Sequence, residues 1–347
     1  MNLHEKLLSL YDSLFSENED TAAGIDLFVV PLIRFNYKKS DYLYLLYKEI
    51  LENDESRYRV HSTSISEHWK FVWNAFRGKP TILHYHWLEC SDFKSLLGIV
   101  YKLFCIKLFK RFGGKIVWTI HNKMPHDRRF KNINESIRSS MAQRADLLHV
   151  HCNTAKRELC KFFDQPESKF SVIPHPEYPA EKLPRKKAIH KLNRKRDLQL
   201  SADDQIFLMF GNISSYKQID KVAKLFEQLP ENKKLIIVGP VKKGQMVYYH
   251  KIKKISSNSS NIRLIPHFIP EADVPLYHSA ADCVLFNFRD ILTSGGVALA
   301  QSYDVPIIAP SKGCLSELNG DNVYLFENED ELNSRIINFA SGVTSDG

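Results

Sequence analysis

The sequence predicts an α/β protein with two doubly wound parallel-sheet domains facing a cleft. Three observations carry this prediction. The chain has 347 residues, enough for two domains of ordinary size. Short apolar runs alternate with helical patterns through both halves, and a proline-rich, strongly basic stretch separates those halves. The apolar runs show no polar alternation, as expected when helices cover both faces of a parallel sheet.

In the first half, strands are expected at 27–33, 58–62, 81–86, 116–120, 147–151 and 171–173. Helices are expected at 41–52, 65–76, 93–112 and 133–144. Pro174, Pro176, Pro179 and Pro184 then cluster ahead of the basic run Arg185–Arg196. This reads as an exposed linker over 179–200, between an N-terminal domain at 1–178 and a C-terminal domain at 201–347. The run has no interleaved aromatics, so no nucleic-acid partner is expected. In the second half, strands are expected at 205–211, 234–239, 262–266, 283–287, 306–309 and 323–326, with helices at 216–228, 244–256, 271–279, 293–303 and 330–339. Ligands of such sheets bind beyond the carboxyl ends of the strands.

Apolar residues make up 44% of the chain and charged residues 25%, so a sizeable core is expected. The formal net charge of +8 points to an anionic partner. The six cysteines form no CxxC pair and are expected as reduced core thiols of a cytosolic protein. No signal peptide is read at the N-terminus, and no stretch is apolar enough to span a bilayer.

Phosphate chemistry is legible in two segments. The apolar run Cys283–Phe286 leads to Asp290, then to Thr293-Ser294-Gly295-Gly296 and an Ala- and Leu-rich helix. Unpaired N–H groups at a helix start, beside two hydroxyls and two glycines, suit a phosphate or diphosphate; an ordinary N-capped helix has the same look. The second segment, Gly211 to Lys217, follows the first strand of the second half. A glycine there allows a tight turn and close ligand approach, and Lys217 can neutralise a diphosphate.

Residues 205–217 and 286–309 together resemble the donor half of GT-B glycosyltransferases, with a glycine loop, a following lysine and a phosphate-binding helix. The run Ile291–Gly295, followed by Val305–Pro310 and Glu317, is similar to bacterial mannosyl- and glucosyltransferases of surface polysaccharide synthesis, a family 4-like pattern. His84–Trp87, Trp118–Asp127, Asn36-Tyr37 and Tyr42–Tyr47 resemble acceptor-side segments of those enzymes. The resemblance implies two Rossmann-like domains, the first holding an acceptor and the second a nucleotide sugar, with the last helix packing back on the first. It implies transfer of a hexose, GDP-mannose being the favoured donor and UDP-glucose the next, to a lipid-linked saccharide.

Its implied donor-binding residues are Gly211, Asn212, Lys217, Thr293, Ser294, Gly295, Gly296 and Glu317; acceptor-binding residues are His86, His121 and Asn122. Asp127, or His126 beside it, is the candidate base, and Asp290 the candidate contact to the donor sugar. The pattern departs from family 4 in two respects: its glycine loop holds Asn212 and Ser214 where those enzymes usually supply an arginine, and its glutamate pair is missing. Those enzymes carry two glutamates eight positions apart, whereas here Asp290 is followed eight on by Ala298. Retention or inversion is therefore left open. A lysine and a helix start stabilise a leaving diphosphate without a metal. The chain has no Asp-x-Asp run, and neither metal nor cofactor is expected.

The apolar stretch 96–112 carries Lys102, Lys107 and Lys110. As a helix it suits an anionic membrane surface; a helix buried against the first sheet has a similar composition. The expected location is cytoplasmic, peripheral on the inner face of the cell membrane. The rival readings are a non-catalytic GT-B partner that binds nucleotide sugar and a nucleotide-sugar epimerase.

Overall fold

The computed structural model describes residues 1–16, 24–90, 93–125 and 130–341, without the side chains of 93, 94, 96 and 97. The chain divides into two compact units, Met1–Pro176 and Glu177–Gly347.

Unit 1 runs α1 (Leu3–Asp12), β1 (Ile25–Val30), α2 (Tyr42–Leu51), β2 (Tyr58–Ser62), α3 (His68–Phe76), β3 (Thr81–Tyr85), α4 (Phe93–Arg111), β4 (Lys115–Thr119), α5 (Lys131–Arg144), β5 (Leu147–Val150), α6 (Asn153–Phe163) and β6 (Phe170–Val172). Its six strands lie in the order β2-β1-β3-β4-β5-β6, all parallel. β1 and β3 are neighbours although β2 lies between them in sequence. The loops after β1 and β3 therefore diverge, which opens a crevice at the strand ends.

Unit 2 runs α7 (Arg185–Arg196), β7 (Gln205–Phe210), α8 (Ile219–Phe226), β8 (Lys233–Val238), α9 (Met246–Ser257), β9 (Ile262–Ile265), α10 (Val274–Ala280), β10 (Cys283–Leu285), α11 (Gly295–Ser302), β11 (Ile307–Pro310), β12 (Val323–Phe326) and α12 (Glu329–Ser341). The parallel order β12-β11-β10-β7-β8-β9 puts the switch point between β7 and β10. Alternate strand residues enter two cores. Ile206, Leu208, Ile236 and Val284 face one layer of helices, and Phe207, Met209, Leu235 and Leu285 face the other. α8 shows how a helix meets such a face: Ile219, Val222, Ala223 and Phe226, at helical spacing, are all buried. Burying each large one contributes about 1.5–3 kcal/mol.

The two six-stranded parallel sheets agree with the expected fold class. Three helices were not expected. α1 starts at a reciprocal cap between Asn2 and Glu5 and buries Leu7, Leu10 and Tyr11. α6 buries Ala155, Leu159 and Phe163 along one face. The third corrects the linker reading: α7 puts Ala188, Ile189 and Leu192 into the core of unit 2. Its cations hide that thin apolar stripe in the sequence. α12 packs on the sheet of its own unit through Leu332, Ile336 and Ala340. Cys90, Cys105, Cys160 and Cys283 are free thiols; Cys152 and Cys314 are not, so the reading of six reduced cysteines holds for four.

Candidate functional sites at the two switch points

In unit 2, β7 ends at Gly211, whose φ of 98° suits glycine. The chain then forms a short 3-10 turn, Ser215–Lys217, and Gln218 takes a left-handed conformation before α8 begins. Lys217 thus precedes the helix instead of lying in its first turn. Its Nζ donates to the Phe210 carbonyl at 3.1 Å. A Cβ on residue 211 would come within 3.1 Å of that nitrogen, so glycine leaves room for the ammonium. Among the described residues Lys217 has no carboxylate partner, and desolvation lowers its pKa to about 8.

The β10 loop is bound to this turn. Arg289 N–H donates to the Tyr216 carbonyl at 2.8 Å, and the Tyr216 and Phe288 rings stack 5.9 Å apart. Beyond it, Ser294 caps α11 by accepting from Val297 N–H. Among the described residues nothing accepts from the N–H groups of Gly295 or Gly296. The loop after β11 closes the arrangement: Cys314 N–H donates to the Leu292 carbonyl at 2.7 Å. Gly313 is required there, because a Cβ would sit 2.6 Å from the carbonyl oxygens of Ile291 and Leu292. The loops after β7, β10 and β11 thus converge at one end of the sheet, offering a cation and free amides to an anion. Asn212, Asp290 and Glu317 are exposed on these same loops, and Thr293 is half-buried.

In unit 1 the switch point is lined with imidazoles. His84 and His86, Thr119 and His121, and His149 and His151 are spaced by two along or just past β3, β4 and β5, and all six are buried. His149 Nε2 lies 3.0 Å from the Ile173 carbonyl, which can only accept. His149 Nδ1 must then accept from Thr119 Oγ1 at 2.8 Å, and Thr119 from His84 Nε2 at 2.7 Å. The hydroxyls of Tyr11 and Tyr47 converge on His84 Nδ1 at 2.7 and 2.6 Å. Burial lowers the His84 and His149 pKa values to about 3, so both rings are neutral at pH 7. Burial also pushes down His86, His121, His151 and His175.

His86 Nδ1 lies 3.3 Å from His121 Nε2. His121 stacks on the half-exposed Trp87 at 4.3 Å, and the Tyr42 ring meets His86, His121, His151 and His175. Among the described residues no group of three or more His, Cys, Asp or Glu side chains is arranged to hold a metal. Arg138 of α5 holds the loops above this cluster. It is buried, lies over Trp118, and donates to the carbonyls of Leu88, Asn122 and Lys123.

The structure brings His86 and His121 together and keeps Asn122 beside them, half-buried. His126 and Asp127 lie outside the described residues. Of the lysines assigned to a membrane surface, only Lys107 is exposed. Lys102 is buried and Lys110 donates to both carboxylate oxygens of Asp146 at 2.8 Å. No helix among the described residues is long and apolar enough to cross a membrane. Sequence reasoning missed His151 and Arg138 as parts of this site, while Tyr42 and Trp87 fell within segments read as acceptor-side without being singled out. The pairs spaced by two were the visible signal for the imidazoles.

Residues 191–342, which include the whole β7–β11 site, match the family described as "Glycosyl transferases group 1". No curated protein matches the chain. Among solved structures, HepE of Anabaena in complex with UDP-glucose is similar in fold, with 15% identity, a TM-score of 0.63, and coverage of 92% of this chain and 91% of that one. Sucrose-phosphate synthase of Thermosynechococcus elongatus has 14% identity, a TM-score of 0.65, and coverage of 92% and 90%. The catalytic domain of starch synthase IV from Arabidopsis thaliana, bound to ADP and acarbose, has 11% identity, a TM-score of 0.61, and coverage of 93% and 92%. With the group 1 match over the unit that carries the candidate anion site, on two parallel-sheet units of the GT-B type, the chain is a GT-B glycosyltransferase.

Proposed function

We propose that this glycosyltransferase moves a hexose from a nucleoside diphosphate sugar to a lipid-linked saccharide, in the assembly of a surface polysaccharide on the cytoplasmic side of the membrane. The observation that carries the donor half is that the turn bearing Lys217 is bonded, through Arg289 N–H and the Tyr216 carbonyl, to the loop that leads to the free amides of Gly295 and Gly296. A leaving nucleoside diphosphate gains negative charge, and an ammonium with fixed N–H dipoles stabilises it without a divalent ion. HepE was solved with UDP-glucose, which makes that donor the first to test and GDP-mannose the second. Asp290, on the same loop, is assigned to the hydroxyls of the transferred sugar, and Glu317 to the ribose.

Unit 1 is assigned the acceptor. Neutral imidazoles and phenols offer both donors and acceptors to sugar hydroxyls, and Trp87 offers an aromatic face. Asp127 or His126 is assigned as base if the reaction inverts.

The test is a thermal-shift screen with UDP, GDP, ADP, TDP and CMP, without metal and then with magnesium. A ligand at a hundred times its dissociation constant stabilises the fold by about 2.7 kcal/mol. One nucleoside diphosphate should raise the melting temperature without magnesium, and its sugar conjugate should turn over with a lipid-linked acceptor. Stabilisation by none of them would overturn the assignment of the donor site. Stabilisation only with magnesium would overturn metal independence.

A further inference from the structure

On α3, the solvent side is aromatic. Helical geometry of about 100° per residue places Trp69, Trp73 and Phe76 within about 60° of one another. They are 55%, 51% and 58% exposed, while His68, Phe71 and Ala75 on the adjoining face are buried. α4 packs beside α3, with Phe109 against Phe71 and Phe112 against Phe76. Its own outer stripe is Val100, Phe104, Lys107 and Arg111, all exposed and in helical register. Trp73 stacks on Phe76 at 5.5 Å, and Phe76 meets Phe112 at 5.2 Å, so the rings form one ridge across both helices.

The charge on the two ridge helices is of one sign. Neither α3 nor α4 contains an Asp or Glu. Arg77, Lys79, Lys107 and Arg111 stand exposed at its edge, and Lys70, next along α3, pairs with Glu67. Large exposed apolar patches mark interaction sites. Tryptophan and phenylalanine beside a row of cations suit the boundary between anionic headgroups and acyl chains.

We propose that the α3–α4 aromatic ridge of unit 1 inserts into the headgroup region of an anionic lipid bilayer, with Arg77, Lys79, Lys107 and Arg111 pairing with the lipid phosphates. The lipid-linked-acceptor reading gives this docking its purpose. The surface itself stands on exposure and charge. It replaces Lys102 and Lys110, one buried and the other paired, as the membrane contact.

The experiment is co-sedimentation of the full chain with phosphatidylcholine vesicles, with and without phosphatidylglycerol. Binding should require phosphatidylglycerol and weaken as salt rises. Replacing Trp69, Trp73 and Phe76 together by Ser should lower binding more than about tenfold. Lys107→Glu with Arg111→Glu should lower it without removing the rings. Brominated acyl chains should quench tryptophan fluorescence in the wild type and less in Trp73→Phe. The thermal shift with nucleotide should be the same in all variants, which separates loss of docking from loss of fold and from failure of the donor-site assignment. Equal vesicle binding by the triple variant would overturn the proposal. So would a wild-type dimer in light scattering that the triple variant abolishes, with no vesicle binding, because the ridge would then be covered by a second copy.

Discussion

The ammonium of Lys217 lies 3.1 Å from the carbonyl oxygen of Phe210, and no carboxylate stands beside it among the described residues. A cation held in this way is short of negative charge, which a diphosphate would supply.

Lys217→Met should therefore weaken nucleoside diphosphate binding about 10- to 100-fold, measured by calorimetry. The folded pKa of about 8 is below the unfolded value, so holding the ammonium in the fold costs stability at neutral pH. Lys217→Met should melt no lower than the wild type. In the wild type, affinity should decline as pH rises through about 8, where the free protein loses the charge. A flat affinity profile from pH 7 to about 9.5 would count against this role.

Arg138 joins the loops after β3 and β4 by donating to carbonyls on both. Arg138→Met leaves those acceptors to be satisfied otherwise and should cost about 2–3 kcal/mol, read by urea unfolding. Arg138→Lys should not restore the loss, because a single ammonium lacks the planar fork that reaches both loops. Full rescue by lysine would show that charge alone is what the site needs.

The imidazole relay makes unit 1 sensitive to acid. His84 and His149 have folded pKa values of about 3, below the ordinary value of 6.5. Their neutral burial is favourable above about pH 6.5, and that contribution is lost as pH falls from there towards 3, since the unfolded chain takes up protons first. Each such histidine should lower stability by roughly 1 kcal/mol per pH unit across that range. Urea unfolding at several pH values between 7.5 and 5 should show the decline. Thr119→Val, which removes the hydroxyl between the two rings, should destabilise the protein at neutral pH by about 2–3 kcal/mol. An unchanged unfolding midpoint in that variant would contradict the relay.

The sequence by itself determined the two parallel α/β units, because uninterrupted apolar runs alternating with amphipathic segments have few other ways to bury both faces of a strand. It also determined the loops of the candidate anion site. Gly211 and the Thr293–Gly296 turn are local backbone devices, and backbone chemistry is written in consecutive residues. The Asn2–Glu5 cap spacing was a local signal for α1 that the sequence reading passed over, whereas α7 was hidden by its own charge. The tertiary structure alone decided which distant groups meet. The register of β3, β4 and β5 sets Thr119 between His84 and His149. α5 brings Arg138 to loops about 15 and 50 residues away in the chain. The lysines of α4 looked alike in sequence, yet rotation about the helix axis buries Lys102, pairs Lys110 with Asp146 and leaves Lys107 in solvent. Burial and pairing are properties of the packed chain, because they depend on which neighbours displace water, and those neighbours come from other elements.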